Sequence, residues 1–585
     1  MSKWSFLAAL AAATCALACA SLAPSRARAN ATYEWQRTQR LLAAEGLEPA
    51  GLPEGKRIAF IRVVRDEVFV ADEVWPSWFN WFHRVTRDDV VRRELLFREG
   101  EAFQELRSEE SMRNLRNMAI FALVRIVPVK VEGDPDAVGV VVHTRDLWSL
   151  RLESSFNITT QVDELGLNLS ERNFLGRNKV LTGAFKMIPK SFSLSGLYAA
   201  RRVWGSNVRL SESAGIVFNR DHMRPEGSLW LLKLDTPYYN LAQRFAWVAN
   251  FSYDNIVARR LQKSALRTYP ETPAPDSPFA NRVWRQHVLL ASLAGSARFG
   301  ERTKHAFALG WDGRSVVVKP NAETALPLEL AEAFRRDVLP RQRREIGPTF
   351  AYEFFTPWYH TFENLGTFGQ SENVRVGPQA TLTLRAPLEV FGSNSNSLFV
   401  TGMIGTVQEL HGWLMEARLS GRTRFERETQ NDQRVDALLR GATPVLLRTF
   451  RVVARVALEA RRRDTARTYV TLGASNGLRG YTSQKIFGYG ESRFLANLEL
   501  RTLPLEWQAV HVGGVLFYDV GSVFADRDDF KAFHAVGVGL RVLFPQFNRR
   551  PFSFDAGTSY DPSFRFVPTI TSEQVVPLTA AEDPE

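Results

Sequence analysis

From residue 150 to 567 the chain repeats one pattern, short segments of alternating apolar and polar residues broken by polar stretches. In TFRVVARVALEAR (449–461), Phe450, Val452, Ala454, Val456 and Leu458 fall on one side and Arg451, Arg455 and Glu459 on the other. RFLANLELR (493–501) sets Phe494, Ala496, Leu498 and Leu500 against Asn497, Glu499 and Arg501. AVGVGLRVLF (535–544) opposes its valines, Leu540 and Phe544 to Gly537, Gly539 and Arg541, and PFSFDAG (551–557) opposes Phe552, Phe554 and Ala556 to Ser553 and Asp555. Side chains alternate between faces only on an extended strand, so a period of two predicts strands. Segments of about ten residues with one apolar face predict a transmembrane antiparallel β-barrel, apolar outward and polar inward. A soluble sandwich alternates too, but its polar face meets water and its turns are short. Here polar stretches at 255–284, 315–345 and 423–444 separate segments, as long loops at one barrel end would. Only helices or closed barrels satisfy their backbone in lipid, and the helical period is nearly absent here. One piece, LELAEAFRRDVL (328–339), predicts a short helix within a loop.

Residues 57–145 read differently. RIAFIRVV (57–64) alternates as a strand, and Thr86 three residues before Asp89 makes a capping box for a helix over VVRRELLF (90–97), with Gly100 placed to end it. Ser108, Glu109 and Glu110 suit the start of a second helix, whose Met112, Leu115 and Met118 share a face. VRIVPVKV (124–131) and VGVVVHT (138–144) predict two more strands, giving the order β-α-α-β-β. Between the first strand and first helix, WPSWFNWFH (75–83) is either a belt at a membrane interface or a cover for the module's own sheet.

Composition narrows the class. With 45% hydrophobic and 23% charged residues the chain is neither disordered nor a multi-span helical membrane protein. Trp4 to Ala20 is its one long apolar run, with Lys3 before it and small-residue sites at Ala18-Cys19-Ala20 and Ala27-Arg28-Ala29, which predicts a cleaved signal over 1–29. Both cysteines lie within it, so a disulfide framework or a cysteine nucleophile is excluded for the processed chain, and lipidation at Cys19 stays as an alternative. The net charge of +11 comes from arginines spread along the chain, which speaks against nucleic acid. Basic loops meeting anionic lipid and arginines merely lining a barrel fit equally well. The expected organisation is a signal (1–29), a linker (30–56), the small module (57–147), the barrel (148–568) and a polar tail (569–585).

Three pieces carry a resemblance. GLRGYTSQKIFGYG (477–490) holds Arg479, Gly480 and Tyr481; LELR (498–501) holds Glu499; FYDVG (517–521) holds Phe517, Asp519 and Gly521. With RRELLFREGEAFQELRSEESMRNLRNMAIFALVRIVPV (92–129), which is similar to a POTRA domain and includes Gly100 and Phe121, they make the chain resemble BamA/TamA-like outer-membrane assembly factors and two-partner secretion transporters, the bacterial surface antigen superfamily. ERNFLGRNKVLTGAFK (171–186) looks like that family's early hairpin and GVGLRVLFP (537–545) like a late strand. The resemblance implies sixteen barrel strands, a periplasmic POTRA-like module that binds extended chains at a sheet edge, and a loop folded into the lumen. Strand parity turns Asp519 and Glu499 inward once Leu516 and Tyr518 face lipid, so Arg479 is expected to pin the loop through Asp519 with Glu499 assisting. A lock that only stabilises the barrel is equally compatible with these residues. The resemblance also implies a last strand that ends the chain on an aromatic, whereas SFRF (563–566) is followed here by a tail; the seam is expected between Leu150–Asn157 and Phe552–Phe566.

GASNG (473–477) matches a nucleophile elbow, but that elbow needs a strand-to-helix turn with acid and histidine partners, and Ser475 lies in a loop. His511 and His534 follow it at strand starts, and the nine histidines have no metal-ligand spacing, so no catalyst, metal or cofactor is expected. The resemblance implies insertion or translocation of unfolded outer-membrane or secreted polypeptides, with outer-membrane lipid, lipopolysaccharide and accessory lipoproteins as further partners. The alternative is a passive pore or structural barrel anchored by its module.

Overall fold

The computed structural model describes residues 33–70, 75, 77–158, 162–262, 265–271, 273–427, 429–464, 469–481, 486–489, 492–507, 510–559, 566–571, 574 and 576–578. The expected signal and Cys19 lie outside them.

The small module is a three-stranded sheet in the order β1 (Arg57–Asp66), β3 (Ala137–Asp146), β2 (Phe121–Lys130), with β1 parallel and β2 antiparallel to β3. Its apolar core joins Ile58, Val91, Phe97, Leu115, Met118, Phe121, Val140 and Val142. Leu115 and Met118 come from the helix Glu105–Arg116 and the turn after it, and partly buried Met112 packs on the same cluster. That helix begins three residues before Ser108, which is buried inside it.

The first helix differs from its expectation. It spans only Asp88–Arg92, because Ser111 Oγ takes the Leu96 N–H (2.9 Å) that a longer helix would need. Thr86 does not cap it: its N–H and hydroxyl both donate to Asp146 Oδ2, at 2.7 and 3.0 Å. Gly100 therefore ends no helix. It turns with φ +87°, where a side chain would be strained, and its N–H donates to the Ile58 carbonyl at the edge of β1 (2.8 Å). The stretch read as a linker holds a helix, Tyr33–Ala44, whose Leu42 packs on Val127, Val129 and Val141.

Apart from three small two-stranded sheets, the remaining described strands form one antiparallel sheet in the order of a closed barrel, with the first strand Leu150–Ile158 next to the last, Phe566–Thr571. Its order runs through 22 segments. Arg343–Phe355 with Trp358–Glu363, and Ser492–Thr502 with Leu505–Trp507, each continue one another along one neighbour. Even so, the described segments outnumber the sixteen strands implied by the resemblance, and sixteen is not borne out. Alternation reveals that a segment is a strand; nothing local in it counts how many strands close the sheet.

One loop reading and the expected end of the barrel are also corrected. Residues 423–444 are almost wholly strand, Trp413–Glu426 and Thr429–Ala442, held by cross-strand charges such as Arg440 on Glu416 (2.6 Å). Strand Phe566–Thr571 carries the barrel past 568, and Pro568 is tolerated there opposite Ala556. In the loop 321–342 the helix Ala331–Asp337 forms as expected.

The module docks on one barrel rim. Asn173 Nδ2 donates to Thr86 Oγ1 (2.9 Å) and to Asp146 Oδ2 (3.4 Å), and Arg549 Nη1 donates to the Arg116 carbonyl (3.0 Å). The aromatic stretch resolves into both kinds of ring. Trp75 and Phe79 pack with Phe69, Trp148 and Phe547 at the module–barrel junction, whereas Trp81 and Phe82 are exposed.

Candidate functional site: a buried arginine in the lumen

The hairpin Tyr469–Leu472 and Ile486–Tyr489 belongs to no barrel wall. From its first strand, residues 473–481 turn back on themselves: the Ala474 N–H donates to the Tyr481 carbonyl (2.9 Å), and Asn476 Nδ2 donates to the Thr471 carbonyl (2.7 Å). Gly477 (φ +108°) and Gly480 (φ +86°) supply left-handed positions that few other residues tolerate. A Cβ on Gly480 would stand 2.9 Å from the Thr558 carbonyl carbon and 3.0 Å from Ala535 Cβ, so the turn touches the wall there.

This turn carries Arg479, wholly buried, to three carboxylates. Its Nε and Nη2 donate to Asp519 Oδ2 and Oδ1 at 2.8 Å each, a two-pronged fit that a lysine cannot copy, and its backbone N–H reaches the same carboxylate at 3.2 Å. Nη1 lies 2.8 Å from Glu499 Oε1, as an ion pair without a well-directed hydrogen bond, and donates to Asp555 Oδ2 at 3.3 Å. Phe517 lies under the guanidinium, its ring centroid 3.6 Å away. Tyr481 donates from its hydroxyl to the His534 carbonyl (3.1 Å) and meets Phe533 edge-on. Gly521 faces Leu472 and Leu478 of the turn, where a Cβ would come within 3.0 Å of Leu472 Cδ1.

Arg479, Gly480, Tyr481, Glu499, Phe517, Asp519 and Gly521 are thus brought together. Gly100 and Phe121 lie elsewhere, in the module, Phe121 within its apolar core. Four partners escaped the sequence reading. Asp555 binds Arg541 (2.7 Å), Glu499 binds Arg501 (2.6 Å), and Asn497 Nδ2 donates to Asp519 Oδ1 (2.6 Å) and to the Gly477 carbonyl (2.7 Å). Arginines 479, 501 and 541 therefore share Glu499, Asp519 and Asp555, three charges of each sign in contact. Parity had already placed Asp555, Arg541, Arg501 and Asn497 on polar faces; what it lacked was which strands neighbour the turn. Register gives that, with Asn497 opposite Asp519 and Gly539 opposite Asp555.

Residues 451–566, which contain all of this network, match the Omp85 superfamily domain. That segment of the chain carries an Omp85 superfamily domain. The resemblance read from the Arg-Gly-Tyr and Phe-x-Asp-x-Gly motifs is borne out over this segment, and the antiparallel barrel expected with it is the fold observed. Three solved structures align with it. BamA from Haemophilus ducreyi lacking POTRA domains 1–3 aligns at 12% identity and TM-score 0.34, over 92% of each chain. CdiB from Acinetobacter baumannii aligns at 10% and 0.36, over 88% of this chain and 72% of that one, and CdiB from Escherichia coli at 13% and 0.39, over 90% and 78%. No curated protein matches the chain.

Proposed function

We propose that this Omp85 barrel handles client polypeptides, inserting them into the outer membrane or passing them across it, with the module on the periplasmic side. The observation that carries the reading is the position of Arg479. A turn from outside the wall is held inside it by a charge-balanced, buried network, and the family match covers that part of the chain. A lumen occupied in this way suits a gated machine better than an open pore. In this reading Arg479 and Asp519 lock the turn, Glu499 assists, and Asp555 shares the load.

Client capture by the module is the finer part. Its sheet edges are already partly used: at Ile61 of β1, Glu99 Oε1 accepts the N–H (2.9 Å) and Arg92 Nη2 donates to the carbonyl (3.2 Å), and the 48–50 stretch lies along the end of β2. An added strand would have to displace or extend past these contacts. No catalysis is assigned; Ser475 sits in the turn that feeds Arg479, and Ser475→Ala is expected to leave hydrolysis of an ester substrate at background.

Depleting the protein and quantifying the outer-membrane proteome together with the secreted fraction tests the reading. Broad loss of barrels identifies an assembly factor, and loss of one or two proteins a dedicated transporter. No change in either fraction, with a large steady single-channel conductance, replaces it by the passive pore.

A further inference from the structure

Beyond the last strand, Gln574 and residues 576–578 lie against the inner wall of the barrel. Val576 and Leu578, two residues apart, are buried in one apolar cluster with Phe362, Leu365, Leu414, Ala442 and Val453, which come from four separate strands and one turn of the wall. Polar contacts flank them. Arg501 Nη2 donates to the Val576 carbonyl (2.6 Å), Arg440 Nη1 donates to the Pro577 carbonyl, and Arg541 Nε donates to Gln574 Oε1 (2.9 Å). Two of the three donors find main-chain carbonyls, and the apolar side chains enter a shared cluster. Side-chain donors to main-chain carbonyls, beside an apolar pocket for side chains two apart, recognise a peptide by its form more than by its sequence. Beside this site opens a cavity of about 1120 Å³, lined by Leu578, Arg440 and Glu416 and reaching Arg113 and Arg116 of the module. The site thus lies where a chain coming from the module would enter the lumen.

We propose that this lumenal site binds polypeptide, that Gln574 and residues 576–578 are its resident ligand, and that a client segment with apolar residues two apart displaces them. The proposal rests on the client-handling function above. It also ties occupancy to the lock. Arg501 and Arg541, which hold Val576 and Gln574, are the two arginines that share Glu499 and Asp555 with Arg479. Displacement frees a donor on each side of that arginine.

The test uses the whole protein in detergent micelles, beside a form ending at Thr571, and a fluorescent synthetic peptide of residues 572–585 as the probe. The shortened protein is expected to bind the peptide. The full chain is expected to bind it about 100-fold more weakly, because its own segment competes at high effective concentration. A peptide with Val576→Asp and Leu578→Asp is expected not to bind. Where the shortened form lacks the heat-resistant gel migration of a folded barrel, the full chain carrying Val576→Asp and Leu578→Asp replaces it, its segment released but present. Equal binding to full and released forms, or binding to neither, overturns the proposal. So does failure of an unfolded barrel-strand peptide with alternating apolar residues to compete, which leaves the segment a structural strap. Peptide binding and competition together with an unchanged outer-membrane and secreted proteome on depletion would instead sink the client-handling function while keeping the site.

Discussion

The module and the lumen are both buried, and they are built from opposite materials. In the module Ile58, Val91, Leu115, Phe121 and Val140 meet one another, and the hydrophobic effect stabilises the contact by removing apolar surface from water. In the barrel the apolar residues point the other way. Leu498, Leu516, Tyr518, Val538, Leu540 and Phe554 are exposed on the outer face, while Arg479, Glu499, Asp519, Arg541 and Asp555 are buried inside. A barrel in lipid spends its apolar side chains outward, so whatever fills its interior must be held by charge and hydrogen bonds. Such an interior is specific, because each charge needs its partner, and fragile, because a missing partner leaves a buried charge uncompensated.

The largest break in this contrast comes from Arg479→Ala. It leaves Asp519, Glu499 and Asp555 converging on an empty centre, with a cost on the order of 3–5 kcal/mol for removing one member of a buried ion network. Urea unfolding followed by heat-resistant gel migration should show a barrel that unfolds at much lower denaturant. Arg479→Lys is expected to recover only part of the loss, since the two-pronged contact with Asp519 is gone. Unchanged unfolding in Arg479→Ala would mean that the network adds nothing to the barrel.

Leu115→Ala breaks the other interior. Large-to-small changes in a packed apolar core cost about 2–5 kcal/mol, with the cavity adding to the lost transfer energy. The expected outcome is a module cut rapidly by protease over 57–146 while the barrel keeps its heat-resistant migration. Loss of both together would show that the docking of Asn173 on Asp146, Arg549 on Arg116 and Trp148 on Phe69 makes module and barrel one cooperative unit.

The contrast also explains what could be read from the chain. Apolar-polar alternation located the strands around 450–461, 493–501, 535–544 and 551–557, because a period of two is local and the lipid face enforces it. The Arg479–Asp519 pair was legible because motif and parity agree. Asp555 and Arg541 were not assigned, although both had the right parity, since contact across strands depends on register, which no single segment encodes. The helix over 90–97 failed for a related reason: Ser111, from the next helix, claims the Leu96 amide. Residues 574–578 read as polar tail, and only the walls around Val576 and Leu578 show why those two are apolar.

Gly480→Ala sharpens the picture of the turn. At φ +86° an alanine is strained, and its Cβ would press on Thr558 and Ala535, so a loss of about 1–3 kcal/mol is expected. The same urea series reads it. A loss as large as that of Arg479→Ala would show that the position of the turn, more than its charge, holds the lumen together.

The smallest expected effect separates the two interiors by pH. In the module, burial alone would raise the Asp66 carboxyl, but the hydrogen bond from His143 (3.0 Å) and the charges of His143, Arg145 and Arg37 outweigh it and hold the group below its ordinary value of 3.8. A carboxyl lowered by folding stabilises the native state above its unfolded value, and that stabilisation is lost as pH falls through the lowered one. Protease resistance of the module should therefore weaken below about pH 4, and Asp66→Asn should remove that part of the slope while lowering resistance at neutral pH. The substitution lies far from Arg479 in sequence and in fold, so the urea midpoint of the barrel is expected to stay where it was. A barrel midpoint that moved with Asp66→Asn would mean that the His143–Asp66 contact reaches the lumen, and the division between an apolar module and a charged barrel would have to be redrawn at Asp146, the residue where β3 meets Asn173 on the rim.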